Sequence, residues 1–266
     1  MPEEMQDWKQ HTVPVDGTSL LVIRGGKGRP LLVLHDELGH PGWLNWHRDL
    51  ARDRELIVPL HPGFGLTARA EWIWNIRDLA GFYARLLGEQ KLVPIDVIGF
   101  SLGGWIAAEM AAANPNQFKR IVLVAPLGIR PPEGKGELLD IFHMFPPAQL
   151  AATVLDPDNT PEFDRLYGGI RPEAFELWED ARAETARLAW APFLHNPSLP
   201  HLLGVIADLP SLLIWGRQDA VSPLGAGEVY NKAITGSKLV VLDKCGHRPE
   251  VERTGEFLRE VRNFLS

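Results

Sequence analysis

The sequence predicts an α/β fold, in which a mostly parallel sheet is flanked by helices and carries a helical cap inserted after the sixth strand. Short apolar runs alternate with longer amphipathic segments in the first half of the chain, a pattern typical of parallel strands joined by helices. The pattern stops after the sixth predicted strand and resumes near the end of the chain. The segment between is rich in proline and in helical pieces, which is typical of an insertion between two parallel strands.

Six strands are predicted in the first half of the chain. A strand pair that turns at Asp16-Gly17 comes first, because Asp-Gly between alternating apolar residues is typical of a hairpin. The later strands are short apolar runs, and the helices between them have apolar residues three and four positions apart. The predicted strands are 11–16, 18–24, 30–35, 55–61, 95–100 and 120–126, and the predicted helices are 43–52, 76–90 and 102–115.

The second half of the chain is divided between the insertion and the end of the sheet. The longest helical piece of the insertion is 173–190, and two strands, 211–216 and 238–243, and a helix, 254–265, follow it. We therefore predict a core formed by residues 1–127 and 206–266. Residues 128–205 are predicted to form a helical cap over the carboxyl edge of the sheet, where open α/β sheets bind ligands.

The composition is that of an ordinary globular protein with a sizeable core. The 266 residues are 45% hydrophobic and 23% charged, the formal net charge is −7, and the pI is about 5.7. No basic stripe is present, so nucleic acid and anionic membranes are disfavoured as partners, and no segment is apolar enough to span a bilayer. Cys245 is the only cysteine, which excludes an internal disulfide, and the acidic start lacks a signal-like apolar run. We therefore expect a cytoplasmic protein.

The strongest chemical signal is Gly-Phe-Ser-Leu-Gly at residues 99–103. It matches the pattern G-x-S-x-G and lies between a predicted strand and a predicted helix. A serine on so tight a turn projects its hydroxyl above the sheet, and Gly99 and Gly103 leave the room that the turn needs. Ser101 is therefore predicted to be a nucleophile; the alternative is an ordinary capping serine in a glycine-rich turn.

A serine nucleophile needs a base, and the base needs an acid that orients it. Asp219 and His247 each follow one of the last two predicted strands, so both loops open at the edge of the sheet that carries Ser101. The order serine, acid, histidine is the order that accompanies this type of turn. Asp243 is a rival acid that lies nearer to His247 in the sequence, but a residue at a strand end is better explained as a turn cap.

Together these segments resemble the α/β-hydrolase superfamily. The matching segments are VLHDELG, HPGFG, GFSLGGW, LLIWGRQDAVSP and CGHRPEVE, and they extend over nearly the whole core. The chain is most similar to lidded serine esterases and carbon–carbon bond hydrolases, which implies Ser101 as nucleophile, Asp219 as acid and His247 as base. Relatives that remove halogens or open epoxides use an aspartate nucleophile, so those activities are disfavoured.

The stretch His35-Asp36-Glu37 departs from the superfamily pattern. In the superfamily this strand ends in His-Gly, and the following residue donates a backbone N–H to the oxyanion. The resemblance implies that Glu37 and Leu102 supply the two N–H groups of the oxyanion hole, each worth about 10²–10³ in rate. Asp36 replaces the glycine. We expect its carboxylate to face away, toward backbone N–H groups or an arginine, because an anion aimed at the oxyanion would oppose catalysis. The alternative is an impaired oxyanion hole.

An apolar pocket is expected between the cap and the core. We assign His35, Asp36, Trp105, Trp178 and Trp190 to this pocket, although packing of the cap on the core is an alternative role for the aromatic residues. The other cap aromatics are Phe142, Phe145, Phe163, Phe175 and Phe193. A metal site at His35, Asp36 and His40 is disfavoured, because zinc needs a closed ligand set at suitable spacing.

We predict a serine hydrolase that cleaves a small to medium hydrophobic ester, or a related acyl compound, through an acyl-enzyme. The expected partner is a small-molecule substrate, and neither a metal nor a cofactor is expected. Two alternatives stay open. One is a carbon–carbon bond hydrolase that acts on a ketone with the same triad, and the other is a non-catalytic ligand-binding module that retains the triad.

Overall fold

An eight-stranded, mostly parallel sheet forms the centre of the computed structural model, which describes residues 8–40, 42–144, 146–160, 162–163 and 172–266. The strands lie in the order β1-β2-β4-β3-β5-β6-β7-β8. The first two pairings, β1 with β2 and β2 with β4, are antiparallel, and the other pairings are parallel. In chain order, β1–β8 are Trp8–Val15, Thr18–Gly26, Arg29–Leu34, Arg54–Pro59, Ile95–Phe100, Phe118–Val124, Ser211–Gly216 and Lys238–Leu242.

Helices cover both faces of the sheet. Side chains alternate between the two faces along a strand, so Leu32 and Leu34 of β3 join one apolar core, and Leu31 and Val33 join the other. In chain order, α1–α9 are Asn45–Leu50, Ile76–Glu89, Leu102–Ala113, Pro146–Thr153, Pro172–Ala189, Leu199–Leu202, Leu224–Ala233, Pro249–Glu252 and Thr254–Leu265. Short 3₁₀ turns lie at Pro115–Gln117, Pro157–Asn159 and Leu203–Ile206. No helix among the described residues combines the length and the apolar character that crossing a membrane requires.

The predicted fold class is confirmed, although two helices of the core, α7 and the one-turn α8, are absent from the sequence prediction. The hairpin turns at Asp16 and Gly17, both at positive φ, as an Asp-Gly turn requires. Helix α7 was missed because two of its residues, Gly225 and Gly227, disfavour a helix. Gly227 is needed there because a Cβ atom would lie 2.8 Å from the ring of Trp215, so the glycine lets α7 pack closely on β7.

The segment between β6 and β7, residues 128–205, is called the cap. Its described residues form α4, α5 and α6 and contribute no strand to the sheet. Two of its threonines contact loops at the carboxyl edge: the Thr185 hydroxyl donates to the Glu37 carbonyl at 3.1 Å, and the Thr153 carbonyl accepts the His247 N–H at 2.9 Å. That the cap is a domain separate from the core stays a prediction.

At the opposite, amino edge of the sheet, a buried carboxylate lies between two arginines. Arg54 donates to Asp96 at 2.8 Å, and Arg120 donates to both carboxylate oxygens at 3.0 Å. Arg54 also donates to the carbonyl of Leu265, which ties the end of α9 to the sheet. Asp96, Arg54 and Arg120 therefore each have a partner of opposite charge, as buried ion pairs require.

Candidate active site

Ser101 lies on a strained turn between β5 and α3. Its φ of 46° and ψ of −109° are rare for a residue with a side chain. The backbone N–H of Ser101 donates to the carbonyl of Val124 at 3.0 Å, which fixes the turn against β6. A Cβ atom at Gly99 or Gly103 would lie within 2.4 Å of backbone oxygen, so only glycine fits at these two positions. Such strain is found where a functional side chain must be held in one place.

Asp219 and His247 form a buried, hydrogen-bonded pair. Nδ1 of His247 lies 2.8 Å from Oδ2 of Asp219. The other oxygen of Asp219 accepts the backbone N–H groups of Val221 and Ser222 at 2.8 and 2.9 Å. Because three hydrogen bonds hold this carboxylate, it fixes both the orientation of the imidazole ring and the tautomer with a proton on Nδ1.

The rival acid Asp243 lies at the surface. Its side chain is 74% exposed and accepts a hydrogen bond from Arg217. Its place immediately after β8 agrees with a role in the turn and leaves Asp219 as the only one of the two candidates that contacts His247.

The hydroxyl of Ser101 and Nε2 of His247 both lack a hydrogen-bond partner of normal geometry within the described residues, although both atoms are buried. Burial alone lowers the pKa of His247, but the carboxylates of Asp219 and Glu37 outweigh it and raise the pKa to about 9. The resting imidazole is therefore mostly protonated at neutral pH.

Asp36 is held by the two kinds of partner that the sequence analysis expects. Its Oδ1 accepts the backbone N–H of Leu38 at 2.9 Å, and its Oδ2 pairs with Arg248 at 2.8 Å. Arg248 pairs in turn with Glu250, which is also buried. The glycine position of the superfamily is thus occupied by a carboxylate that serves the loop itself.

The carboxylate at the nucleophile is that of Glu37, which the sequence analysis considered only as a backbone donor. Glu37 is 1% exposed, and its carboxyl group interacts with the hydroxyl of Ser101 and with its own backbone N–H. Burial and then the charge of Asp36 raise its pKa, while His247, Ser101 and its own N–H oppose the rise. Asp36 pairs with Arg248, whereas the carboxyl group of the next residue, Glu37, interacts with Ser101. Leu102, the other expected donor, begins α3, where a backbone N–H has no partner within the helix.

His35 joins the oxyanion loop to the next loop and does not line a pocket wall with the cap. Its Nδ1 lies 2.8 Å from the carbonyl of Asp36, and its Nε2 accepts the backbone N–H of His61 at 3.0 Å. Burial lowers the pKa of His35 to about 4, so the ring is neutral with both nitrogens used. Within the described parts of the chain, no group of three or more His, Cys, Asp or Glu side chains is arranged to hold a metal ion.

The three tryptophans assigned to the pocket lie in three different environments. Trp105 lines a cavity of about 320 Å³ between α2, α3 and the cap, whose lining residues do not include Ser101. Trp178 packs with Leu38 of the oxyanion loop and Val154 of the cap. Trp190 is 53% exposed and packs on other cap aromatics. His35 and Asp36 bond to the oxyanion loop, the next loop and Arg248. A role of these three residues in a substrate pocket stays a prediction, and Phe145 lies outside the described residues.

Residues 31–260 match the model of the alpha/beta hydrolase family. The chain therefore belongs to the alpha/beta hydrolase family. It is 26% identical to a 2-hydroxy-6-oxo-2,4-heptadienoate hydrolase of Pseudomonas putida, with 91% of this chain and 90% of that protein aligned. It is 27% identical to a pimeloyl-[acyl-carrier protein] methyl ester esterase of Aeromonas hydrophila, over 93% and 99% of the two chains. The protein is a hydrolytic enzyme of this family.

Solved structures agree with this fold. A membrane phospholipase A superimposes with a TM-score of 0.81 at 24% identity, over 97% of this chain and 86% of that one. A 2-hydroxy-6-oxo-6-phenylhexa-2,4-dienoate hydrolase from Rhodococcus superimposes with a TM-score of 0.76 at 22% identity, over 97% and 98%. These similarities concern the fold, since proteins that share it act on very different substrates.

Proposed function

We propose that the protein is a serine hydrolase that cleaves a small to medium hydrophobic ester through an acyl-enzyme. The observation that carries the proposal is the strained turn at Ser101, whose unpaired hydroxyl shares the sheet edge with the hydrogen-bonded pair of Asp219 and His247. Each of these features has structural explanations of its own. Their combination in the order serine, acid, histidine is what hydrolysis by an activated serine requires.

The proposed reaction has two halves. His247 in its neutral form takes the proton of Ser101, whose Oγ attacks the carbonyl carbon, and Asp219 stabilises the resulting imidazolium. The backbone N–H groups of Glu37 and Leu102 are proposed to stabilise the oxyanion. The proton then passes to the leaving alkoxide, and water releases the acyl group from Ser101 by the same steps in reverse order.

The cap is proposed to limit the size of the substrate. Thr185 contacts the oxyanion loop and Thr153 contacts the backbone of His247, so the cap lies against both loops that the reaction uses. A covered site of this kind favours small soluble esters over emulsified long-chain lipids. A small-molecule substrate belongs to the same proposal, and the net charge of −7 supports it by disfavouring nucleic acid and anionic membranes as partners. A cytoplasmic location is also proposed, on the ground of the single cysteine.

A second candidate function is hydrolysis of a carbon–carbon bond next to a ketone by the same residues. It is favoured by the nearly full-length similarity to the heptadienoate hydrolase of Pseudomonas putida and to a 2-hydroxymuconate semialdehyde hydrolase of Pseudomonas. Turnover of p-nitrophenyl esters compared with turnover of vinylogous diketones separates the two functions. A preference for the diketones of tenfold or more in kcat/KM would decide for the second.

The experiment that tests a serine mechanism is labelling with a fluorophosphonate probe. We expect stoichiometric labelling of the wild type at Ser101 and none of Ser101→Ala, together with a loss of up to about 10⁶ in kcat. The matched control is Ser198→Ala, an exposed serine of the cap, which should label and turn over as the wild type does. Most of the activity surviving in a pure, folded Ser101→Ala preparation would refute the proposal.

A further inference from the structure

The proposed reaction uses the backbone N–H of Glu37 and leaves its carboxyl group without a role. That group is almost fully buried, and its Oε2 has no hydrogen-bond partner within the described residues. It interacts with the hydroxyl of Ser101, itself buried and without a normal hydrogen bond, and with its own backbone N–H. An unpaired acceptor therefore lies beside the nucleophile and covers one of the proposed oxyanion donors.

If every carboxyl group around Ser101 were ionised, negative charges would outnumber positive charges among the described residues. Four carboxyl groups are buried at this edge, and two basic groups, Arg248 and His247, are buried with them. The four carboxyl groups belong to Asp36, Glu37, Asp219 and Glu250. The neighbouring histidines add no positive charge, because burial lowers the pKa of His35 to about 4 and that of His40 to about 3. Asp219 pairs with His247, and Asp36 and Glu250 share Arg248, so Glu37 has only a share of the His247 charge. Burial accordingly raises the pKa of both Glu37 and Glu250, and a cation placed at Glu37 would favour its ionised form.

This imbalance bears directly on acyl transfer. The carbonyl oxygen becomes negative when Ser101 attacks, and a carboxylate beside it raises the barrier by like-charge repulsion in a site of low dielectric constant. A neutral ester brings nothing that would remove this repulsion. A substrate with a positive charge near its carbonyl does, because the cation pairs with Glu37 and the sum of the charges falls.

We propose that Glu37 is a specificity-determining residue that binds a protonated amine next to the scissile carbonyl, so that the substrates are α-amino acyl esters or the corresponding amides. This inference rests on the acyl-serine chemistry proposed above. An α-nitrogen lies two bonds from the carbonyl carbon, so an acyl group that reaches Ser101 also brings its ammonium group to a carboxylate that touches Ser101.

The same contact frees the oxyanion donor. The carboxyl group of Glu37 interacts with the backbone N–H of the same residue. An ammonium group attracts that carboxylate with a charge-assisted hydrogen bond, which is about twice as strong as a neutral one. The N–H then becomes available to the carbonyl oxygen. The Oγ–C bond forms and the ester C–O bond breaks as in the proposed reaction, and the ammonium group is not consumed.

The test compares two esters of the same shape, L-alanine benzyl ester and benzyl isobutyrate, which differ by an ammonium group in place of a methyl group. Release of benzyl alcohol is measured at pH 7 with blanks for spontaneous hydrolysis. We expect the wild type to prefer the alanine ester by about a hundredfold or more in kcat/KM, as desolvated charge pairs can provide. Glu37→Gln, which keeps the shape and removes the charge, should reduce this preference to within threefold. The exposed Asp243→Asn should keep it, because a surface charge is screened.

A second measurement does not depend on any variant. 1-Aminoethylboronic acid and isopropylboronic acid are also matched in shape, and both can form a tetrahedral adduct with a reactive serine. The aminoboronic acid should inhibit the wild type at least tenfold more strongly. Equal inhibition by the two compounds would overturn the inference.

Other outcomes also decide. If the wild type cleaves both esters equally well, or if Glu37→Gln accelerates both without changing their ratio, Glu37 obstructs the site and is not a binding group, and the inference is wrong. If Ser101 reacts with the fluorophosphonate probe but neither ester is cleaved, the substrate class is wrong and the serine mechanism stands. If Ser101 does not react with the probe, the proposed function itself fails.

Discussion

The two edges of the sheet contain the buried carboxyl groups of Asp96 and Glu37, but only Asp96, at the amino edge, has a hydrogen-bond partner for both oxygens within the described residues. At the amino edge, Asp96 is enclosed by Arg54 and Arg120, and each of its oxygens has a donor within 3.0 Å. At the carboxyl edge, Glu37 is equally buried, and one of its oxygens has no partner within the described residues. The amino edge is an ion-pair network, whereas the carboxyl edge retains a buried carboxyl oxygen without a partner next to a strained serine.

This difference indicates that the amino edge of the sheet contributes to stability and the carboxyl edge to the reaction. A buried charge without a partner costs free energy, so it is retained only where something else benefits from it. The strained φ of Ser101 is a cost of the same kind at the same edge. Substitutions at the amino edge should therefore lower stability and spare the chemistry, and substitutions at the carboxyl edge should do the reverse.

After Ser101→Ala, the largest effect on turnover is expected from Asp219→Asn. The amide would hold the wrong tautomer of His247, and kcat on an activated ester should fall by about 10⁴. Asp243→Asn serves as the matched control and should change kcat by less than about threefold, because this side chain is exposed. Steady-state kinetics of the two purified variants measures both effects. The reverse ranking would identify Asp243 as the orienting acid.

The two edges of the sheet can be compared directly by changing a carboxylate to an amide at each edge and measuring the free energy of unfolding. Asp96→Asn leaves the buried Arg54 and the partly buried Arg120 without their anion and should lower the free energy of unfolding by about 3–5 kcal/mol. Glu37→Gln replaces a buried carboxyl group whose Oε2 has no partner within the described residues, so it should leave this free energy unchanged or raise it by about 1–3 kcal/mol. Urea denaturation of the two variants and the wild type measures the difference. Equal destabilisation by both changes would show that the carboxylate of Glu37 is a structural partner like Asp96.

A smaller effect concerns pH. His247 accepts a proton only in its neutral form, and its pKa is raised to about 9, so kcat/KM on a neutral ester should rise with pH up to about 9. Glu37 is one of the groups that raise this pKa, so the rise should move to lower pH in Glu37→Gln, with a gain of up to about tenfold at pH 7. Profiles of kcat/KM from pH 6 to 10 measure the shift. A profile that Glu37→Gln does not move would show that the two groups are not coupled.

The smallest effect is expected where the cap meets the carboxyl edge. Thr185→Val removes the hydrogen bond to the Glu37 carbonyl and leaves that buried acceptor unpaired, at a cost of about 1–3 kcal/mol. We expect a severalfold loss of kcat on a neutral ester, because the oxyanion loop is held less firmly. Thr160→Val is the control, since its hydroxyl donates to Asp156 within the cap. Equal kinetics of the two variants would argue against a role of the cap in positioning the loop.

The positions of Ser101, Asp219 and His247 could be derived from the sequence because each depends on local structure. A strand, a tight glycine turn and a helix are enough to place Ser101, and the carboxyl ends of neighbouring parallel strands share one edge. The choice of Asp219 over Asp243 also followed from position. Asp243 is the last residue of a predicted strand, whereas Asp219 lies within the loop that follows the strand 211–216. Their catalytic roles stay predictions until the variants are measured.

The side chains of the oxyanion loop and the cap could not be derived in this way. Asp36 turns aside because Arg248, which is far away in the sequence, reaches it at 2.8 Å. Nothing local to His35-Asp36-Glu37 shows which of two adjacent carboxylates will find that arginine. Trp190 was assigned to the pocket by composition, and its exposure depends on how the cap helices pack.

The sequence alone therefore determined the order of strands and helices, the strained turn and the three residues of the expected triad, because short-range sterics and hydrophobic periodicity act between near neighbours. Only the tertiary structure decided which carboxylate faces Ser101 and which one is neutralised. The physical reason is that the environment of a buried charge is set by the groups around it in space, and here Arg248, Asp219 and Thr185 come from three distant segments of the chain.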